Sequence, residues 1–312
     1  MAEWLCSGLQ IRVRRFNSDL GLQSFQQFRS PRSESFVGIF SGSMPTIPAM
    51  LDLHCHLLPG IVDGATDLAM SLEMARIAAA DGIHTVACTP HIYPGMYENT
   101  GDGIRAAIAD LQARLDEEGI PLHLVQGADV HIDPGLVDGI RAGRVPTLNG
   151  TRYLLLEPPH HVAPPRFEEE IFSLMVAGIV PVITHPERLR WIEDNYPLFK
   201  RLVRGGALMQ VTAGAVTGRF GSRPQYWAHR MLDEGLVHIL ATDAHHPQRR
   251  PPLLAEAREA VAGRLGKEEA HHMVHTRPQG IVDNLPPDAL PPPVTGVASG
   301  TRGFWQRLFN AT

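Results

Sequence analysis

The chain has 312 residues, of which 44% are hydrophobic and 20% are charged, and its formal net charge is -5. This composition is ordinary for a globular protein with a buried core, and the negative charge argues against a nucleic-acid ligand. Three cysteines are too few for a disulfide framework, and the sequence has no apolar stretch of about 18 residues that would predict a membrane span. The composition therefore predicts a reduced, cytoplasmic protein.

Residues 1–49 carry several arginines and serines but no sustained hydrophobic period. They also lack the apolar segment and the small-residue cleavage site of a signal peptide. We expect this stretch to be disordered or accessory to the working domain.

Seven short apolar runs alternate with helical patterns in the central part of the chain. They are Leu51–His54, Thr85–Thr89, Leu122–Gln126, Tyr153–Glu157, Val180–Thr184, Ala207–Thr212 and Val237–Thr242. This alternation is typical of βα units in an α/β fold with a parallel sheet. Seven such units would close into a (β/α)7 barrel, with the active site at the carboxyl ends of the strands.

Two intervening helices are readable in detail. Apolar residues at Leu68, Leu72, Ala75 and Ala79 predict the buried stripe of the first helix, and Gly82 is placed to end it. Residues 167–177 repeat the pattern, with a glycine at position 178 as the stop.

Acidic and histidine side chains follow most of these predicted strands. The candidates are His54, His56, Asp63, His91, Asp129, Glu157, His185, Asp243 and His245. Side chains alternate along a strand, so His54 and His56 share one side, as do Asp243 and His245. Any single candidate could cap a helix, but the whole set predicts a site for several metal ions. Imidazole together with carboxylate favours Mn²⁺, Fe²⁺ or Zn²⁺ over Mg²⁺ or Ca²⁺.

The end of the chain is rich in proline. Leu285–Pro293 cannot continue a helix, so we expect the working domain to span residues 50–284 and a Pro-rich tail to span residues 285–312.

Several motifs resemble the polymerase-and-histidinol-phosphatase (PHP) superfamily. The first are the run from Met50 to Gly60, Asp63-Gly64-Ala65 and Thr89-Pro90-His91. Further matches are Gly127-Ala128-Asp129, Leu156-Glu157, Thr184-His185-Pro186-Glu187-Arg188, Gln210-Val211-Thr212-Ala213-Gly214 and Thr242-Asp243-Ala244-His245. Within the superfamily, the sequence is similar to the manganese-dependent bacterial protein-tyrosine phosphatases of capsule and exopolysaccharide loci. The resemblance covers residues 50–284.

The resemblance implies a distorted seven-stranded PHP-type barrel that holds three Mn²⁺ ions, with Fe or Zn as alternatives. The implied ligands are His54, His56, Asp63, His91, Glu157, His185, Asp243 and His245. Two positions depart from the family. Asp129 stands where the family usually has the longer glutamate, and Val62 replaces the first of two acids before a glycine.

The family's proteins begin with methionine, an aliphatic residue and aspartate, which is how Met50-Leu51-Asp52 reads. Residues 1–49 are therefore expected to come from an upstream start, as a non-native extension.

The resemblance also implies a mechanism for phosphoester hydrolysis. A hydroxide held between two metal ions is the expected nucleophile, because coordination lowers the pKa of water to about 7. Arg188 and Arg250 match the family's phosphate-binding arginines, and guanidinium can hold two phosphate oxygens at once. Arg249 reads as a surface residue. Metal-bound water, a ligand histidine and Asp63 are all open as the general acid.

The leading hypothesis is a metal-dependent phosphatase for phosphotyrosine in a partner protein, a bacterial tyrosine kinase that controls polysaccharide export. A phosphatase for histidinol phosphate or another small phosphomonoester is the alternative. A cysteine-nucleophile phosphatase is disfavoured, because the Cys-x5-Arg spacing at Cys6–Arg12 leaves no room for a preceding strand. A binding module with a dead site is a further reading, but every ligand position has a chelating residue. The oligomeric state stays open, a homo-oligomer included.

Overall fold

The structure is a computed structural model that describes residues 49–296. The expectations for residues 1–48, including the Cys6–Arg12 spacing, lie outside the described residues, as does the last part of the expected tail, residues 297–312.

Residues 49–296 contain nine strands and ten α-helices. The strands are β1 (Met50–Cys55), β2 (Ile83–Cys88), β3 (His91–Ile92), β4 (His123–Gln126), β5 (Asp129–His131), β6 (Tyr153–Glu157), β7 (Val180–Thr184), β8 (Leu208–Thr212) and β9 (Ile239–Ala241). The helices are α1 (Leu68–Ala80), α2 (Gly101–Glu117), α3 (Leu136–Arg141), α4 (Phe167–Val176), α5 (Ile192–Arg204), α6 (Ala213–Val216), α7 (Ser222–Asp233), α8 (Ala255–Leu265), α9 (Lys267–His271) and α10 (Arg277–Val282). A π-helical turn, His272–Thr276, joins α9 to α10.

All strand pairs are parallel, in two sheets of order β1-β2-β4 and β3-β5-β6-β7-β8-β9. Strand β3 continues the course of β2, and β5 continues that of β4, so the pairing of β2 with β4 is followed by the pairing of β3 with β5. Two of the seven predicted strands are therefore longer than expected, and each is broken into two pieces. Pro90 lies at the first break, where it has no N–H to donate to a neighbouring strand.

The first and last strands meet at a seam. The Asp243 N–H donates to the His54 carbonyl at 2.8 Å, and the His56 N–H donates to the Ala244 carbonyl at 2.9 Å. Beneath them, the buried Asp52 carboxylate accepts hydrogen bonds from the backbone N–H and the hydroxyl of Thr242. The strands thus form a ring of seven positions, and the predicted distorted (β/α)7 barrel is confirmed.

Apolar side chains fill the barrel beneath its carboxyl ends. On β6, Tyr153 and Leu155 point to the same side as Glu157 because alternate residues share a face. They pack with buried residues from most of the other strands and with Ile281 and Leu290, which cover the opposite end of the barrel. A second, larger apolar cluster lies between the strands and the surrounding helices. The polar side chains at the carboxyl ends therefore lie directly above the close-packed apolar interior of the barrel.

The buried face of α1 differs from the prediction. The helix ends as expected before Gly82, whose φ is +90°. Its buried residues are Ser71, Met74, Ala75 and Ala78, whereas Leu68 is 38% exposed. Ala75 is buried as predicted, and Leu72 and Ala79 are partly buried against the core. Ser71 can be buried because its hydroxyl donates to the Leu57 carbonyl at 2.7 Å, which satisfies a polar group that hydrophobicity alone would place outside.

The described part of the expected tail, residues 285–296, is packed against the domain. The Tyr153 hydroxyl donates to the Leu285 carbonyl at 2.6 Å, and the Gly296 N–H donates to the Asp233 carbonyl at 2.9 Å. Arg277 is fully buried, where it pairs with Glu269 through both Nη atoms and also donates to carbonyls of the Pro-rich stretch. No helix within residues 49–296 has both the length and the apolar character to cross a bilayer.

Burial of His238 makes the stability depend on pH. Its Nδ1 accepts a hydrogen bond from the Met209 N–H at 3.1 Å, and burial, aided by the charge of Arg277, lowers the pKa of His238 to about 3. The unfolded chain binds this proton below its own pKa of about 6.5, so stability falls as pH drops from 7 towards 3. We expect His238 to account for about 2 kcal/mol of stability lost between pH 7 and pH 5.

Urea unfolding of the wild type and of His238→Asn, which keeps an acceptor, at the two pH values measures this difference. The two proteins should differ in the pH dependence of the unfolding free energy by about that amount. Equal pH dependence in both would contradict the assignment to His238.

Candidate metal centre

The nine predicted side chains converge at the carboxyl ends of the strands. The end of β1 presents His54 and His56, the first residue of β3 is His91, and the first residue of β5 is Asp129. Glu157 is the last residue of β6. The remaining members follow strands or lie in the loop after β1, and they are His185, Asp243, His245 and Asp63.

Four of these side chains meet around the Nε2 atom of His54. This atom lies 3.2 Å from His56 Nε2, 3.3 Å from Asp129 Oδ2 and 3.3 Å from Asp243 Oδ1. Two donor atoms that each lie about 2.1 Å from one ion are about 3.0–3.5 Å apart in tetrahedral or octahedral geometry. The spacing around His54 therefore suits a shared cation.

A second group surrounds Glu157. Its Oε2 lies 3.3 Å from His91 Nδ1, and its Oε1 lies 3.6 Å from His185 Nε2. Asp129 Oδ2 lies 3.5 Å from His91 Nδ1, so the shorter aspartate side chain reaches the cluster. This buried oxygen has no hydrogen-bond partner within the described chain, which is the condition expected of an atom that binds a cation.

A third group includes Asp63, whose side chain is 52% exposed. Asp63 Oδ1 lies 3.4 Å from His245 Nε2 and 3.6 Å from His91 Nε2. The loop that carries it is pressed against β1, since a Cβ on Gly64 would lie only 2.2 Å from the His56 carbonyl oxygen. A glycine is therefore required directly after Asp63.

Four groups of the cluster take protonation states that suit a metal, namely Asp63, Glu157, His185 and His56. Two others do not, because the charge of Asp129 raises the pKa of His54 and a hydrogen bond with Glu157 raises that of His91, despite the burial of both rings. A hydrogen bond from His245 lowers the pKa of Asp63, and neighbouring histidines lower the pKa of Glu157 despite its burial. Burial lowers the pKa of His185 to about 3 and that of His56 well below its usual value. Ionised carboxylates and neutral imidazoles are the forms that bind metal ions.

Two of the candidates have left-handed backbone conformations, His185 with φ of +32° and Asp243 with φ of +50°. Such conformations cost about 1–3 kcal/mol each in non-glycine residues and cluster at functional sites. His185 directly follows β7, and Asp243 lies two residues after the end of β9, so both stand at the carboxyl ends of strands.

Two arginines lie beside the cluster. Arg188 Nη1 donates to Asp243 Oδ2 at 2.6 Å, and Arg250 Nη2 donates to the same oxygen. Burial, together with the charge of Arg188, lowers the pKa of Arg250 to about 9, so the Arg250 guanidinium stays charged at neutral pH. Arg249 is exposed, as expected for a surface residue.

These groups line one open pocket of about 150 Å³. Every lining residue is an acid, a histidine or an arginine, and the set is Asp63, His91, Glu157, His160, His185, Arg188, Asp243, His245 and Arg250. The pocket can accept a small anion among cationic groups, but it has no apolar wall for a larger ligand.

Residues 50–283 match the family model described as "Capsular polysaccharide synthesis, CpsB/CapC". The chain belongs to the CpsB/CapC family. It is 39% identical to tyrosine-protein phosphatase YwqE of Bacillus subtilis over 221 residues, which cover 70% of this chain and 86% of YwqE. It is 30% identical to the putative tyrosine-protein phosphatase CapC of Staphylococcus aureus over 207 residues, 66% of this chain and 81% of CapC.

A solved structure agrees with this membership. It comes from work on YwqE from Bacillus subtilis and CpsB from Streptococcus pneumoniae, described as unique metal-dependent tyrosine phosphatases. Its TM-score is 0.73 at 36% identity, covering 79% of this chain and 100% of the other. The resemblance of the motifs to bacterial protein-tyrosine phosphatases of capsule and exopolysaccharide loci is therefore confirmed.

Two histidines of this CpsB/CapC member were missed by reasoning from the sequence. His131 Nε2 lies 3.0 Å from Glu157 Oε2, and His160 Nε2 lies 3.1 Å from Glu157 Oε1. His160 also belongs to a group with Glu157 and His185 whose donor atoms could hold an ion. A signal existed for His131, because alternation places it on the same side of β5 as Asp129.

Gln210, on β8, is a neighbour of the cluster that holds a ligand candidate in place. Its Oε1 lies 3.0 Å from His54 Nδ1, where it accepts the ring N–H and leaves Nε2 free to face the cluster. Two tyrosines stack on histidines of this region, Tyr97 on His91 and Tyr93 on His131.

Proposed function

We propose that this CpsB/CapC family member is a metal-dependent protein-tyrosine phosphatase. The observation that carries the proposal is the convergence of carboxylates, imidazoles and two arginines on one pocket. Its relatives YwqE and CpsB are named tyrosine-protein phosphatases, which supports the same activity here.

The proposed metal ligands are the nine residues of the cluster: His54, His56, Asp63, His91, Asp129, Glu157, His185, Asp243 and His245. The donor spacing of 3.2–3.3 Å around His54 Nε2 and the unpartnered Asp129 Oδ2 support this assignment. Bound metal ions would supply a water of lowered pKa at neutral pH and would neutralise phosphate charge. Mn²⁺ is the proposed ion, with three per chain, because the mixed nitrogen and oxygen donors suit it.

The arginines are proposed to bind the phosphoryl group. Arg188 and Arg250 both reach the pocket from one side, and their planar guanidiniums can each donate to two phosphate oxygens. This arrangement orients the phosphorus and stabilises the extra charge of the transition state. The tyrosine leaving group has a pKa near 10, so proton donation to it is a modest demand. Asp63 is the most exposed carboxylate of the cluster, but a hydrogen bond from His245 lowers its pKa and keeps it ionised, so a ligand histidine or metal-bound water is the better proton donor.

The polar pocket fits the phosphoryl end of a phosphorylated protein side chain. Its volume of about 150 Å³ and its fully polar lining accommodate the phosphoryl group, so the rest of the substrate lies at the rim. The proposed partner is a bacterial tyrosine kinase that regulates exopolysaccharide synthesis. We also propose a cytoplasmic location, where the buried thiols of Cys55 and Cys88 stay reduced.

Substrate preference tests this function. We expect kcat/KM on a phosphotyrosyl protein to exceed that on histidinol phosphate by at least about tenfold, equivalent to 1.4 kcal/mol of transition-state binding. Both activities should vanish after stringent metal removal and return with Mn²⁺, which is compared with Fe²⁺ and Zn²⁺. Activity that survives metal removal would overturn the proposed function, and a preference for histidinol phosphate would favour the alternative.

A further inference from the structure

Phe220 lies behind the two arginines of the pocket. Its half-buried ring occupies the turn between α6 and α7. The guanidinium carbon of Arg188 is 5.5 Å from the ring centroid, and that of Arg250 is also 5.5 Å from it. Both distances fall within the range of a cation–π contact. One aromatic ring therefore makes cation–π contacts with two arginines that come from different loops.

The ring also reduces the effect of the repulsion between the two arginines. Two guanidiniums that face the same phosphate must lie close together, and their like charges repel each other. Asp243 Oδ2 contacts both arginines on the pocket side, but Asp243 is also a proposed metal ligand. The ring of Phe220 lies 5.5 Å from both guanidinium carbons, and the negative face of its quadrupole attracts both cations without competing for metal.

The local backbone fixes the position of the Phe220 ring. The Phe220 N–H donates to the Gly214 carbonyl at 3.3 Å. A Cβ on Gly214 would lie 3.0 Å from both Cε1 and Cζ of the ring. Position 214 must therefore stay small for the ring to lie where it does, which gives a physical reason for a glycine at the end of the Gln210–Gly214 motif.

We propose that Phe220 is a positioning residue that fixes both arginine side chains for binding two oxygens of one phosphoryl group. This inference rests on the proposed phosphatase function. Phe220 does not touch the substrate, and it acts through Arg188 and Arg250.

The test replaces the Phe220 ring by side chains of similar size, so that no large cavity is left. Phe220→Leu removes the π face while keeping an apolar side chain, and Phe220→Tyr keeps the π face. Phe172→Leu, at a position on α4 that is 63% exposed, is the matched control. Each metal-loaded protein is assayed for inhibition by inorganic phosphate, for kcat and KM on a phosphotyrosyl peptide, and for the shift of its unfolding midpoint by phosphate.

We expect Phe220→Leu to raise the inhibition constant of phosphate by about 5- to 30-fold, with metal content unchanged, because two cation–π contacts are lost. Phe220→Tyr should stay within about twofold of the wild type because it keeps both contacts, and the Phe172→Leu control should match the wild type. If Phe220→Leu does not fold, Phe220→Met makes the same comparison.

Unchanged phosphate binding in a folded, metal-loaded leucine or methionine variant would overturn the proposal, as would a tyrosine variant as weak as the leucine variant. Failure of the proposed function gives a different result. The wild type would then not hydrolyse phosphotyrosine, and the phosphate-dependent shift of the unfolding midpoint would still decide whether Phe220 positions the arginines.

Discussion

Replacing Glu157 by glutamine is expected to abolish most of the activity and to reduce the metal content. The carboxylate lies among four histidines, with His91 Nδ1 3.3 Å from one oxygen and His185 Nε2 3.6 Å from the other. Glutamine keeps the shape but removes the negative charge that a divalent ion requires. We expect kcat/KM to fall by at least about 10³-fold, since loss of one electrostatic group at a reaction centre already costs about 10²- to 10³-fold.

Elemental analysis of protein purified without chelator provides the second measurement. The wild type should hold about three ions per chain, and Glu157→Gln should hold fewer. Glu170→Gln is the matched control, because Glu170 lines a separate pocket between α3 and α4. A Glu157→Gln protein with full metal content and wild-type rate would refute the role of Glu157 as a ligand.

Loss of either pocket arginine is expected to have the second largest effect. Arg188→Ala or Arg250→Ala should lower kcat/KM on a phosphotyrosyl peptide by about 10²- to 10³-fold, because each removes charge directed at the phosphoryl oxygens. Lysine at either position should restore little, since it lacks the planar pair of donors. Metal content should stay at the wild-type value.

The double alanine variant sharpens this prediction. Arg188 and Arg250 share Asp243 Oδ2 and the face of Phe220, so their effects on the activation free energy should not add. Arg249→Ala is the control, because its side chain is exposed beside Arg250. Single variants that keep wild-type kcat/KM, or a control as impaired as the single variants, would contradict the assigned role.

Most of the fold was predictable because hydrophobic runs and glycine stops are local signals. The seven strand positions and the ends of α1 and α4 lie where the sequence places them. The breaks within two strands were not predicted, because β3 has only two residues and is recognised through its pairing with β5. The burial of Ser71 on α1 was not predicted, because its hydrogen bond depends on a carbonyl 14 residues away.

The candidate site was predictable to the extent that parallel strands bring their carboxyl ends together. Residues at those ends, such as His54 and Asp243, could be grouped without knowledge of the packing. The roles of His131 and His160 depend on which carboxylate oxygen each one contacts, which only the folded geometry defines. Phe220 was not predicted either, since it comes from a turn that carries no strand-end signal.

A metal ion bound at the seam between β1 and β9 would also affect the stability of the fold. His54 and His56 lie on one side of it, Asp243 lies on the other, and the His54 and Asp243 donor atoms are 3.3 Å apart. An ion coordinated by both sides would cross-link segments that are about 190 positions apart in the sequence, and closing so long a loop is costly in entropy. Binding of the cation would then stabilise the folded barrel as well as support catalysis. Scarcity of the ion would therefore lower the stability of the closed barrel and reduce the activity together.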